Sequence, residues 1–495
     1  MHSSATSRRS FLKLAGATAA MMPSLRSGAQ ASTETPKQSG ERSDYTVHIQ
    51  NGLIEIANNR FVSTTTFNGQ FPGPLLRFRE GQQTTVAIRN GTDIPEQLHW
   101  HGQNVPVDVD GAAEEGTPFV PAHGSRRISF VPQPSGLRFY HTHLRAGGDL
   151  NRGQYTGQVG PVYIEPRENP GHYDREIFLT LKEFEPWFSH GGDMANDFLA
   201  GEEVKQLKDR GESEMAASLK EGKPHGFEVN YRTFTINGRM LGHGEPIRVK
   251  QGERVLLHVL NGSATEIRSL ALPGHTFSVV AMDGNPIPKP IEVPALWLGT
   301  AERISAIVEM NHPGVWILGD TADDDRRHGM GIVVEYAGQQ GKPQWIAPKQ
   351  AHWNYAHFGK PAGPAAQPDD VLDMTFAKRN AALDGFNQWT INGTPYPDTA
   401  MMATPLFHLR EGKRYRIRMR NASDDTHPVH LHRHSFELTR IAGQATSGVM
   451  KDVVMLGGYQ EAEIDFVANN PGMTLFHCHQ QLHMDFGFMC LFDYV

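Results

Sequence analysis

One unit recurs three times along this chain of 495 residues, and a repeated unit restricts the fold more than any single propensity does. The first copy runs from Phe67-Asn68-Gly69 through Leu76, Arg77, Phe78 and Arg79 to Gly81 and Asn90. A second runs from Ile236-Asn237-Gly238 through Ile247 to Val249 and Lys250, then Gly252 and Asn261; a third runs from Ile391-Asn392-Gly393 through His408, Leu409 and Arg410 to Gly412 and Asn421. The closing Gly and Asn of each copy stand nine residues apart, and the residues between them alternate: Thr84, Val86, Ile88; Val255, Leu257, Val259; Tyr415, Ile417, Met419. A period of two puts each set on one face of a strand, and the Asn-Gly pairs predict tight turns. The expected fold is all-β, with three consecutive sandwich domains at 43–167, 168–345 and 346–495.

A second shared signature separates the domains. The first has Gly136-Leu137-Arg138-Phe139-Tyr140-His141-Thr142-His143 and the third Gly472-Met473-Thr474-Leu475-Phe476-His477-Cys478-His479, whereas the second has Gly314-Val315-Trp316-Ile317-Leu318-Gly319-Asp320-Thr321, with no metal-capable pair. His275-Thr276-Phe277 of the second matches His434-Ser435-Phe436 of the third, which puts Ala271 and Pro273 where the third has His430 and His432. The middle domain therefore reads as structural, with the chemistry shared between domains one and three. Between about 191 and 222 it carries a charged, helix-prone insertion, expected as a solvated amphipathic helix, with a lid over a substrate site as the alternative.

A net charge of −7 with 38% hydrophobic residues describes a soluble globular chain and argues against nucleic acid as a partner. Residues 1–31 read as an export signal: Arg8-Arg9-Ser10-Phe11-Leu12-Lys13, an apolar stretch from Leu14 to Leu25, and a small-residue cleavage box at Ala29-Gln30-Ala31. The paired arginines resemble the twin-arginine type, which implies the twin-arginine translocation machinery as a partner and a periplasmic mature protein. No later apolar run is long enough for a membrane anchor, and a monomer is expected.

The composition holds 25 histidines and 2 cysteines. His99 and His101; His141 and His143; His427, His430 and His432; and His477, His479 and His483 form four clusters. In a strand, residues i and i+2 share a side, so a His-x-His pair presents two imidazoles to one place. Cys478, set between two histidines, reads as a thiolate metal ligand rather than half of a disulfide with Cys490, which reads as a small buried hydrophobe. One thiolate with two imidazoles is the blue-copper pattern, and Cys478, His483 and His427 supply that set. The remaining histidines are too many for one four-coordinate zinc and suit several coppers.

These residues resemble the three-domain multicopper oxidases, a family of laccases, bilirubin oxidases and bacterial copper-efflux oxidases, over the whole mature chain. The resemblance rests on His99-Trp100-His101-Gly102, His141-Thr142-His143, His427-Pro428-Val429-His430-Leu431-His432, and His477-Cys478-His479 with His483. It implies three cupredoxin-like Greek-key domains and four coppers. A type 1 copper would take His427, Cys478 and His483; a type 2 copper His99 and His430; and a type 3 pair His101, His141, His143, His432, His477 and His479. It further implies that a small-molecule or metal-ion donor gives up single electrons at type 1 and that dioxygen is reduced to water at the other three.

Details of the family pattern carry over with exceptions. The axial position falls on Phe488, which cannot ligate, while Met489 should face the other way, so a three-coordinate type 1 copper of relatively high potential is expected. Asp110 matches the acidic residue near the cluster and is the candidate for proton delivery. Met484 stands where bacterial relatives often carry a second glutamate, with Asp485 as a substitute. Arg433 replaces a usual glycine, and His434 reads as a hydrogen-bonded structural residue. Dispersed methionines favour organic donors, phenols or aromatic amines, over the alternatives of a cuprous or metal-ion oxidase and a copper-free binding or cell-division protein.

Overall fold

The computed structural model describes residues 42–495 apart from 168–171, 191–198, 200, 361–365 and 400. The signal segment, 1–31, lies outside the described residues.

The three repeats become three pairs of sheets. Two four-stranded sheets come first, one built on Tyr45–Ala57 and Thr84–Asn90 and the other ending in Gly136–His141 and His99–His101. Each later domain pairs a six-stranded sheet with a five-stranded one. In every copy the strand that opens the domain runs parallel to the alternating strand, as Tyr45 to Val86, Val255 to Arg175 and Asp370 to Tyr415 register. Tyr415, Ile417 and Met419 are buried while Arg418 and Arg420 between and beyond them are exposed, the alternation expected of a strand with one face on the core.

The repeated polar residues have structural jobs. Asn68, Asn237 and Asn392 take left-handed backbone angles (φ 56°, 52° and 52°) with a left-handed glycine after each, the conformation that the two-residue hairpin turn requires. The closing asparagines are buried corner braces: Asn90 donates to the carbonyls of Ile94, Val120 and Pro121, Asn261 to those of Glu266 and Leu298, and Asn421 to those of Asp425, Leu456 and Gly457. Satisfying several buried carbonyls with one amide fixes the chain reversal that follows the strand.

Within the insertion, Gly201–Lys220 forms a 20-residue helix. It is not simply solvated: Leu207 is 6% exposed and belongs to the core shared with the third domain. Arg210 lies 5.4 Å above the Tyr459 ring, Gln460 donates to Glu203 at 3.3 Å and Asn380 to Ser218 at 2.8 Å. The helix therefore spans from its own domain onto the Asp370–Leu383 strand and the loop at Tyr459 and Gln460 of the third. Among the described residues no helix is long and apolar enough to cross a membrane.

Candidate copper centres

Antiparallel register builds the first half of the site. His99 pairs with His141 and His101 with Phe139 across two strands of domain one. In domain three, His430 pairs with His477 and Val429 with Cys478. The two half-sites meet between the domains: the rings of His99 and His432 stack with centroids 4.1 Å apart, those of His101 and His430 at 3.8 Å, and His141 lies 5.0 Å from His479 and His143 5.2 Å from His477. All eight side chains are buried, at 0–1% exposure.

Four of the rings, those of His99, His101, His141 and His430, are held by one nitrogen and leave the other without a partner. The Nδ1–H of His99 donates to the carbonyl and carboxylate of Asp110 (3.0 Å each), that of His430 to the Asp452 carbonyl (2.7 Å), that of His141 to the Thr142 carbonyl (2.7 Å) and that of His477 to the Cys478 carbonyl (2.8 Å). His101 is held the other way round, its Nε2–H donating to Asp452 Oδ1 at 3.1 Å. The nitrogens left over, Nε2 of His99, His141 and His430 and Nδ1 of His101, have no protein partner, nor do both nitrogens of His143 and His479. Leaving a buried polar atom unpaired costs about 1–3 kcal/mol, so a ring of such atoms converging on one place is the signature of a metal-binding donor set. Burial, reinforced for most of them by neighbouring imidazoles, holds His101, His141, His432, His477 and His479 well below the ordinary histidine value, and burial brings His430 to about 3. These imidazoles are neutral and can ligate.

The second centre lies inside domain three. Cys478 Sγ is 3.6 Å from His427 Nδ1 and 3.6 Å from His483 Nδ1, which are themselves 3.2 Å apart. Metal–nitrogen distances near 2.0 Å and metal–sulfur distances near 2.3 Å in a trigonal plane require separations of about 3.7 Å between sulfur and nitrogen and about 3.5 Å between the nitrogens; the sulfur–nitrogen separations match and the nitrogens stand a few tenths of an ångström closer, so the three donors converge on a place for one ion. Burial lowers His427 and His483, the latter to about 3, and pushes the Cys478 thiol up, so a bound cation is what would make it a thiolate. Phe488 packs against His427 with centroids 4.8 Å apart, while Met489 lies in a separate cluster with Leu475, Met484 and Leu491. Cys490 is buried and unpaired, and Cys478 is free of any disulfide.

Asp110 is fully buried and bridges the domains, accepting from His99 and, at 3.0 Å, from His432 Nδ1. Burial opposes its ionisation, but those two imidazoles hold its carboxyl well below the usual range. Glu115 beside it is pushed up by burial and by Asp110. Arg433 adopts φ 57°, the left-handed region where glycine is usual, and its guanidinium donates to the carbonyls of Gly472 and Met473 and to Thr474 Oγ1. His434 bonds the His432 carbonyl and Tyr494 as His275 bonds the Pro273 carbonyl and Tyr336, a structural brace in both domains. Asp485 accepts from the backbone of Ala146 and Gly147 at 3.0 and 2.8 Å, with burial raising it to about 6.

Three family models described as multicopper oxidase match residues 48–169, 208–334 and 365–495. The chain belongs to the multicopper oxidases. Multicopper oxidase MmcO of Mycobacterium tuberculosis is 30% identical over 452 residues, covering 88% of this chain and 84% of its own. The copper resistance protein A homolog of Pseudomonas syringae pv. tomato is 25% identical over 597 residues, covering 97% and 98%. Among solved structures, the multi-copper oxidase from Pseudomonas thermotolerans superposes with a TM-score of 0.66 at 24% identity (91% of this chain, 98% of the other), and the laccase from Botrytis aclada with 0.70 at 19% (90% and 87%). These likenesses show the fold of three cupredoxin-like domains. As a multicopper oxidase the protein is an oxidoreductase that uses a reducing substrate and dioxygen, and its cofactor is four coppers, which sets aside the copper-free binding reading.

Residues outside the histidine motifs also enter this multicopper oxidase's site. Asp452, Glu114 and Glu115 reach ligand-capable histidines, Glu114 lying 3.3 Å from His143 Nδ1, and Arg303 reaches in from the middle domain. A sequence signal for Asp452 exists: a Lys-Asp pair interrupts the apolar run from Val449 to Leu456, and charges buried in such a run are paired or functional.

Proposed function

We propose that this chain is a laccase-like oxidase that takes single electrons from small organic donors, phenols or aromatic amines, at a type 1 copper held by His427, Cys478 and His483. His99 and His430 hold the type 2 copper, and His101, His141, His143, His432, His477 and His479 the type 3 pair. Bound copper supplies one-electron exchange at the thiolate site and the four-electron reduction of dioxygen to water at the three-metal cluster. The observation that carries this reading is the alternation of the Thr474–Cys478 strand: Cys478 Sγ faces His427 and His483, while the flanking His477 turns to the other side, its Nε2 3.0 Å from His432 Nε2. Asp110 positions His99 and His432 and is the residue placed to pass protons to the cluster.

The organic donor is supported by a cavity of about 480 Å³ beneath the Gly201–Lys220 helix, with Met215, Ser218, His225, Lys378, Ser423 and Asp424 among its lining residues. Its floor touches a residue that would hold the type 1 copper, since Ser423 Oγ accepts from His427 Nε2 at 3.0 Å. Two of the nearby carboxylates are already committed, since Lys378 donates to Asp424 at 2.6 Å and to Asp425 at 2.7 Å, while Glu214 and Glu221 line the side of the cavity formed by the helix and the turn after it. A metal ion at Asp424 would have to displace that lysine, and the cavity offers a single methionine for a soft ion, whereas a phenol-sized ring meets hydroxyl and amine partners. The second reading, oxidation of cuprous or other metal ions for copper tolerance, is favoured by the name of the copper resistance protein aligned along nearly the whole chain.

Oxygen uptake by copper-loaded protein on phenolic, aromatic-amine and cuprous substrates tests the choice. Organic donors are expected to support turnover, and turnover with cuprous ion alone would refute the laccase-like reading. Export to the periplasm belongs to the same proposal; replacing Arg8 and Arg9 by lysine should leave the unprocessed chain in the cytoplasm.

A further inference from the structure

The middle domain presents no His-x-His pair, yet it reaches the centre of the cluster through one side chain. Arg303, fully buried, grips both carboxylate oxygens of Asp452: Nη1 donates to Oδ1 at 2.7 Å and Nη2 to Oδ2 at 2.5 Å. Two parallel charged bonds of this kind fix a carboxylate in both position and plane. Arg138 of domain one donates to the same Oδ2 at 3.3 Å. Behind them Asp283 accepts from the backbone N–H groups of Arg303, Asp452 and Val453 and from Lys451 Nζ, whose other partner is Glu302, each at 2.9 Å. Room for the grip depends on Gly102, the last residue of the His-Trp-His-Gly run: with φ 75°, a Cβ there would lie 2.6 Å from both Arg303 Nη2 and Asp452 Oδ2.

Asp452 in turn governs two histidines from different domains. Its Oδ1 takes the Nε2–H of His101, leaving Nδ1 free; its carbonyl takes the Nδ1–H of His430, leaving Nε2 free. One residue thus selects opposite tautomers in two rings stacked 3.8 Å apart. Arg303 also lies 5.6 Å from the Phe139 ring, which packs on His101 at 4.3 Å and His141 at 5.0 Å.

We infer that Arg303 of the middle domain is a positioning residue for the copper cluster, acting through Asp452 to set the tautomer and aim of His101 and His430. The inference rests on the ligand assignment proposed above, in which those two histidines serve a type 3 and the type 2 copper. On it, the middle domain is a working part of the site: the cluster reaches full affinity only when all three domains are docked.

The test uses the full mature chain, with copper content, blue absorption and the electron paramagnetic resonance of type 2 copper measured per chain. Wild type comes first; fewer than four coppers there would overturn the ligand assignment, whatever the variants do. Given four, Arg303→Met should keep the blue band, since His427, Cys478 and His483 do not touch Arg303, while the cluster coppers weaken roughly 10–100-fold, as outer partners of ligating histidines do. Arg303→Lys should recover part of the loss and show an altered type 2 signal. Four coppers with an unchanged type 2 signal in Arg303→Met overturn the inference. If that variant loses the blue band and melts, Asp452→Asn decides, because it keeps side-chain size and the backbone bond to His430. Selective loss of cluster copper in Asp452→Asn upholds the inference, and wild-type copper and spectra there overturn it.

Discussion

Replacing Ser423 by alanine probes the link between the proposed substrate cavity and the proposed type 1 ligand His427. With Nδ1 turned to Cys478 and His483, His427 carries its proton on Nε2 and donates it to Ser423 Oγ at 3.0 Å. The hydroxyl itself donates to Asn421 Oδ1 at 2.8 Å, which orients its lone pair toward the ring. An imidazole whose N–H is accepted is a stronger donor to metal, and the benefit is larger for the oxidised, more highly charged ion. Removing the acceptor therefore raises the potential. The whole bond contributes about 1 kcal/mol net, and about 1.4 kcal/mol corresponds to 59 mV in a one-electron couple, so the rise is bounded near 40 mV. Folding should survive, since the Ser423 backbone N–H and the Asn421 amide keep the corner braced. The assay is a redox titration that follows the blue band of Ser423→Ala against wild type. A lower potential, or a rise well above ~100 mV, would refute the reasoning.

Phe488→Met, a near volume-conserving change costing under about 1.5 kcal/mol, should lower the potential by offering an axial thioether, and Met489→Leu should leave the blue spectrum unchanged; absorption and potential of both variants check this. Lys378→Met would strip Asp424 and Asp425 of their shared cation, a loss of about 3–5 kcal/mol when a buried pair is broken, read as a fall in melting temperature. Burial raises Glu96, 2% exposed, to about 6. A raised carboxyl destabilises the fold once pH passes its unfolded value near 4.5, with the full penalty, about 2 kcal/mol, reached above 6. Stability should accordingly decline from about pH 4.5 to 7, and Glu96→Gln should flatten that part of the melting-temperature profile.

The three domains and the histidine clusters were legible because both depend on local spacing. Asn-Gly turns, alternating strands and His-x-His pairs each encode geometry within a few residues, and the structure realises them in the same registers. What sequence leaves out is contact between distant segments. Asp452 reaches His101 and Arg303 grips Asp452 across domains, and nothing near either residue fixes that meeting except the charge placed inside an apolar run. The insertion was read correctly as helical but wrongly as merely solvated: its apolar content is low, and a small buried surface at Leu207 and Gly211 with polar contacts at Glu203, Arg210 and Ser218 docks it. Arg433 shows the converse case, in which a family glycine is replaced and the cost of a left-handed arginine, on the order of 1–3 kcal/mol, is offset by a set of buried bonds that only the fold provides.

The alternation of the Thr474–Cys478 strand has a mechanical consequence. The histidines proposed to hold the three-metal cluster come from two domains, but the span from Cys478 to its covalent neighbours His477 and His479 lies within one strand and its immediate extension. On the proposed assignment, a shift of one domain against the other would therefore leave the route of an electron from Cys478 to the cluster unchanged in length. A one-residue insertion or deletion there would reverse which side each of the three side chains faces and abolish both centres together, so this segment tolerates substitution far better than any change in length.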